Sequence, residues 1–148
     1  MQPMTDIMLL TFAIAAGGYG DFCQTNQEIC QTPPKVVYMK LNGNGRWKGV
    51  FRPAQPHMIG VSIDVERGSP EEEAVKVHEF VHYLQHHSKK FAPYRVCFTH
   101  AEHEKEAYLV MEKFLNTVYS LTYGEAIPNK ILSEFEPCWK AQRLGIIR

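Results

Sequence analysis

The stretch Val77-His78-Glu79-Phe80-Val81-His82-Tyr83 brings together the side chains best able to do chemistry. His78 and His82 stand four residues apart, with Glu79 directly after the first. On a helix, residues four apart share a face, with Cβ atoms about 5–6 Å apart. Zinc–imidazole bonds are about 2.0–2.1 Å long, so two rings leaning inward can meet on one ion. A helix turns once in about 3.6 residues, which puts Glu79 about 100° round from His78. From there it does not ligate the same ion easily, but it can reach a water on it. The pattern H-E-x-x-H is that of a zinc site with its own carboxylate base.

Such a site needs a rigid helix. Ser69-Pro70-Glu71-Glu72 supplies the start: Ser69 as N-cap, Pro70 at the first helical position, Glu72 closing a capping box. Three successive glutamates complement the positive helix end. The helix should run to about Ser88, with Lys89 and Lys90 favourable at its C-terminus. Val75, Val77, Phe80, Val81 and Leu84 point almost all round it, which marks a buried helix. Buried His78, Glu79 and His82 then need partners, and a metal with its water would provide them.

A catalytic zinc usually has three protein ligands. His86 sits one turn beyond His82, about 6 Å along the axis at about 1.5 Å per residue, too far for the same ion. The longer motif with a third histidine needs Gly where Gln85 stands and His where Ser88 stands. A second long helix is the better donor. Thr99-His100-Ala101-Glu102 reads as its capping box, and Gly124 as its stop after about Tyr123. Its apolar seam is Ala107, Met111, Phe114 and Val118. Extended backward, the seam reaches Glu104, the first candidate for third ligand. Glu106 lies further round and is the second candidate, and Glu102 is occupied by the cap.

Before these helices, Val36–Leu41, Trp47–Phe51 and Ile59–Val65 read as strands. Asn42-Gly43-Asn44-Gly45 is a hairpin turn signal joining the first two. The expected fold is α+β: a small antiparallel sheet of about three strands on two long helices, then short C-terminal helices. Ile59–Val65 would either be an edge strand that aligns an extended peptide or an interior strand.

Residues Ile7–Ala16 are apolar but shorter than the roughly 20 residues of a membrane span. They fit a signal-peptide core with Ala13-Ile14-Ala15 as cleavage pattern, although Asp6 is acidic and no basic residue precedes Lys35. The alternative is a buried N-terminal helix or strand. Gly17–Pro34 reads as an irregular arm, so 1–34 is a leader or arm and 35–148 the folded domain. The tail 127–148, broken at Pro128 and Pro137, should form short helices packed through Trp139 and Leu144. Four cysteines permit Cys23–Cys30 plus Cys97–Cys138 in an oxidising compartment, or four thiols in the cytosol. Together these features favour a secreted or periplasmic chain over a cytoplasmic one.

At 148 residues the chain suits one domain. Sixteen basic and sixteen acidic residues cancel, and no basic stripe stands out, so nucleic acid is not an expected partner.

With these residues in view, the chain resembles the glutamate-type zincins, whose pattern is H-E-x-x-H on one helix and E-x-x-A on a following one. Here those are His78-Glu79-Phe80-Val81-His82 and Glu104-Lys105-Glu106-Ala107. Small bacterial and phage proteins of this type look similar over roughly Ile59 to Val118. The resemblance implies a zinc metallopeptidase acting on a peptide or protein, with His78, His82 and Glu104 as zinc ligands and Glu79 as general base. Tyr108 stands where some members carry an aspartate that orients a ligand histidine, so that partner must come from Glu106 or Glu102. His100, His103, Tyr108 and Tyr123 are candidates for an oxyanion donor. The competing reading is a non-catalytic metal-binding or interaction module that keeps the helix pair.

Overall fold

Apolar residues on every side of one helix demand cover on every side, and the fold supplies it. The computed structural model describes residues 3–41, 48–91 and 97–126, apart from the side chains of 97–100, 125 and 126. The chain order is α1 (Asp6–Gly17), α2 (Gly20–Thr25), α3 (Gln27–Gln31), β1 (Lys35–Met39), β2 (Gly49–Phe51), β3 (Met58–Ser62), α4 (Pro70–Ser88), α5 (Cys97–Phe114), a π-helical turn (Leu115–Tyr119) and α6 (Tyr123–Ala126). The class is α+β, as the patterning implies. No helix among the described residues is long and apolar enough to cross a membrane.

Helix α4 is the axis of the molecule, buried from Glu72 to Gln85. It starts as its caps require. Ser69 Oγ accepts from Glu72 N at 3.1 Å, and Glu72 Oε1 reaches back to Gly68 N at 3.2 Å. Lys89, in the left-handed region at φ 55°, ends it. Helices α1 and α5 and strands β2 and β3 pack around it.

Helix α1 corrects the expectation that the core begins after Pro34. Thr5 caps it and Gly18, at φ 76°, closes it. Leu9, Leu10 and Ala13 are fully buried, and the ring of Phe12 packs edge-on against Phe114 at 5.3 Å. The physical reason is the demand for cover: α4 has more apolar perimeter than α5 and the sheet can shield. Polar ties fix the contact. Asp6 pairs with Lys76 at 3.0 Å, and buried Glu73 accepts from Met4 N at 3.2 Å and from the Tyr119 hydroxyl at 2.6 Å.

The arm after α1 is two short helices rather than irregular chain, stapled by a Cys23–Cys30 disulfide. Its end is held by α4, where the Tyr83 hydroxyl donates to Ile29 O at 2.9 Å and Thr32 O at 3.2 Å. The second expected pairing, Cys97–Cys138, lies outside the described side chains, as do the 42–45 turn and the 127–148 tail.

The sheet departs from the expected hairpin order. It is mixed, ordered β1-β3-β2, with β1 parallel and β2 antiparallel to β3. Burial explains it. Ile59, Gly60, Val61 and Ser62 are buried, whereas β1 and β2 are only partly covered, so the central strand is the one enclosed on both sides. Strand β3 is thus interior, not an edge. It also ends at Ser62, whose Oγ accepts from Asp64 N in a turn that leaves Ile63 58% exposed.

Helix α5 begins two residues before Thr99, so Thr99 is not its N-cap. Nothing in Cys97-Phe98 opposes helix, and the first turn extends back through them. At the other end the seam does not run on to Tyr123. The π turn inserts an extra residue and rotates the register, so Leu115 is buried while Val118 is half-buried. Ser120, at φ 56°, closes the turn.

Candidate metal centre

Helix α4 carries His78 and His82 on the face turned toward α5, and the apolar seam of α5 carries Glu104 to meet them. Glu104 Oε1 lies 2.7 Å from His82 Nε2, and Oε2 lies 3.0 Å from His78 Nε2. The two Nε2 atoms are 3.2 Å apart, their rings crossed at 75°. Ligands on a tetrahedral ion with bonds of about 2.0–2.1 Å stand about 3.3 Å from one another. The three groups already stand near that spacing. Among the described residues, this is the one group of three or more His, Cys, Asp or Glu side chains placed to hold a metal ion.

The donor chemistry tests the fit. Gln85 is fully buried, and its Oε1 lies 2.8 Å from His82 Nδ1. Its amide nitrogen donates to His103 O at 2.9 Å and Glu106 Oε1 at 3.3 Å. His82 Nδ1 therefore carries a proton, and in a neutral ring Nε2 is a lone pair. A lone pair 2.7 Å from a carboxylate oxygen needs a cation between them. A proton serves: burial works against charge on His82, but the Glu104 carboxylate and further bonds outweigh it and lift its pKa to about 9. A metal ion serves equally. Glu104 is partly buried, which favours its neutral form, yet the two imidazoles hold its pKa well below the usual range. The cluster thus presents an ionised carboxylate and two nitrogens around one point, a set suited to a divalent ion.

Glu79 stands beside this point, with Oε1 3.8 Å from His78 Nε2. Its Oε2 is buried without a hydrogen-bond partner, and burial pushes its pKa up. An unpartnered buried carboxylate oxygen is expensive unless a water or ligand completes it. Gly49 of β2 makes room for it: a Cβ there would fall 2.7 Å from Val75 Cγ1 and 2.9 Å from Glu79 Cγ.

The other candidates separate clearly. Glu106 does not join the cluster. It accepts from the Tyr19 hydroxyl, from Lys90 Nζ at 2.6 Å and from Gln85. It meets His82 only at one remove, through Gln85, and not as the direct partner the sequence reading offered. Glu102 is half-buried on α5 and, among the described residues, belongs to no metal-holding group. His86 lies against Phe51 and His87, away from the cluster. Of the oxyanion candidates, Tyr108 packs on His78 with ring centres 4.3 Å apart, and Tyr123 packs on Tyr108 at 5.8 Å. His103 is buried against Phe91, and the side chain of His100 lies outside those described.

Sequence reasoning missed Gln85 and Gly49. Gln85 had a signal: an amide on a helix apolar all round, three residues after His82, must find a buried partner. Gly49 had none, because the approach of β2 to α4 is a tertiary contact. Compared with family models, curated proteins and solved structures, the chain has no match.

Proposed function

We infer that the protein is a zinc-dependent peptide hydrolase in which His78, His82 and Glu104 hold the ion and Glu79 is the general base. The observation that carries this reading is the unpartnered Oε2 of Glu79 beside a converging His-His-Glu set. Bound there, zinc would polarise a substrate carbonyl and make water acidic near neutral pH. Glu79 would take the proton from the attacking water and pass it to the leaving nitrogen, restoring the carboxylate. Its raised pKa suits a group that must both accept and return a proton. Strand β2 is the outer strand nearest Glu79 among the described residues, and an extended peptide laid along it would bring a carbonyl to the site. Tyr108, packed on the ring of His78, is the aromatic donor we assign to the developing oxyanion. The disulfide supports an oxidising compartment.

The test is Glu79→Gln assayed on a broad peptide library. Cleavage should fall by about 10²–10⁴-fold, the span typical of a lost general base, with zinc still bound. Wild-type turnover by the variant would remove Glu79 from the mechanism. Zinc binding without cleavage by the wild type would instead identify a non-catalytic metal-binding module.

A further inference from the structure

The two ligand histidines are held differently. His78 Nδ1 is buried with no hydrogen-bond partner, and the ring of Tyr108 packs on its face. His82 Nδ1 faces the side-chain oxygen of Gln85 at 2.8 Å. The geometry points to Gln85 as a positioning residue that sets the tautomer and aim of His82, with Glu106 fixing the direction of the Gln85 amide. This rests on the reading that His78, His82 and Glu104 hold a metal.

The amide can face only one way. Its nitrogen meets His103 O at 2.9 Å and a Glu106 carboxylate oxygen at 3.3 Å, and neither can donate. Turned over, the amide would set its oxygen against two acceptors and its nitrogen against His82. Held as it is, it accepts the Nδ1 proton of His82 and leaves the lone pair on Nε2. That is the nitrogen facing Glu104 and His78. A hydrogen bond of this kind on the remote nitrogen of a ligand imidazole fixes its orientation and strengthens it as a donor.

Glu106 is in turn fixed from outside the helix pair. Tyr19, just before α2, donates to its Oε1, and Lys90 holds its Oε2 at 2.6 Å while also reaching Gly17 O at 3.3 Å. The relay His82–Gln85–Glu106 thus ends on the turn between α1 and the disulfide-stapled arm. That turn gives the N-terminal segment a mechanical hold on a ligand 63 positions away in sequence, counting from Tyr19 to His82. A helical glutamine on the solvent side would have no such bonds. Gln85 is 1% exposed and makes all three.

The experiment compares wild type, Gln85→Leu and Gln85→Met. Both variants keep an apolar side chain of similar length in place of the glutamine and remove its amide. Zinc affinity is read by competition with a chromophoric chelator, and folding by circular dichroism. Both variants should lose about 10–100-fold in affinity, as expected when a ligand's supporting bond is removed. In the zinc-loaded protein, nitrogen-15 spectra should show His82 protonated at Nδ1. That proton should exchange with solvent faster in Gln85→Leu, while the α4 amides keep their wild-type rates.

A folded Gln85→Leu that binds zinc as tightly as wild type overturns the inference, even if the metal centre stands. So does a folded Gln85→Met with wild-type affinity, or a His82 proton whose exchange rate does not change. A wild type that binds no zinc overturns the metal-centre reading and this inference with it.

Discussion

Glu104 supplies the negative charge that lets two imidazoles stand 3.2 Å apart in a buried site. Each member of the trio alone would be a costly burial, whereas together around a cation they satisfy one another. Glu104→Ala should therefore weaken zinc binding far more than Glu106→Ala, measured by chelator competition. The Glu106 variant acts only through Gln85 and should stay within about 10–100-fold of wild type. Equal losses would return Glu106 to the list of direct ligands. At this scale the sequence was informative. Four-residue spacing fixed His78 and His82 on one face, and the α5 seam picked Glu104 over Glu106. Gln85 escaped because its position was read against the glycine of a longer motif rather than as a buried amide in need of partners.

Helix α4 owes its placement to signals inside its own sequence. Ser69, Pro70 and Glu72 act within one turn, and the helix ends at Ser88 as its composition implies. Ser69→Ala should cost about 1 kcal/mol of stability, by denaturant unfolding, as lost N-caps do. A neutral outcome would mean that packing alone sets the start of the helix. Strand β2 is constrained from the other side. Gly49→Ala would drive a methyl into Val75 and Glu79. It should cost about 1–3 kcal/mol, the usual range for overpacking, and displace Glu79 enough to lower turnover. Full activity and stability would show that β2 can retreat from α4. Sheet order was not legible, because local turn chemistry at Asn42-Gly45 promotes a β1–β2 hairpin while burial puts β3 between those strands. The π turn after Phe114 was equally hidden. Leu115 and Val118 are both acceptable to an unbroken helix, and only the packed register distinguishes them.

Across the whole molecule, α1 and the stapled arm close the side of α4 that the sheet leaves open. The apolar run Ile7–Ala16 fitted a leader core and a packed helix alike, because both need the same composition. Its structural role can be measured. Leu10 is fully buried, and Leu10→Ala should cost about 2–5 kcal/mol, as cavities of that size do. A loss below about 1 kcal/mol, far under that range, would detach α1 from the core. The arm also gives stability an alkaline limit. Burial pushes the Tyr83 hydroxyl up to about 12, above its ordinary value near 10. A phenol raised on folding stabilises the native state below about pH 10, and that contribution is lost as pH rises through about 12. Tyr119, raised to about 12 by burial and its bond to Glu73, adds a parallel component. Tyr83→Phe should flatten part of the decline in stability between those pH values, and an unchanged slope would assign the decline elsewhere. The most direct test of the account is metal analysis of the purified protein beside His78→Ala and Glu104→Ala. One zinc per wild-type chain, lost in both variants while each stays folded, is the predicted result. A wild type without bound metal even after zinc loading, or variants that retain it undiminished, would contradict the account.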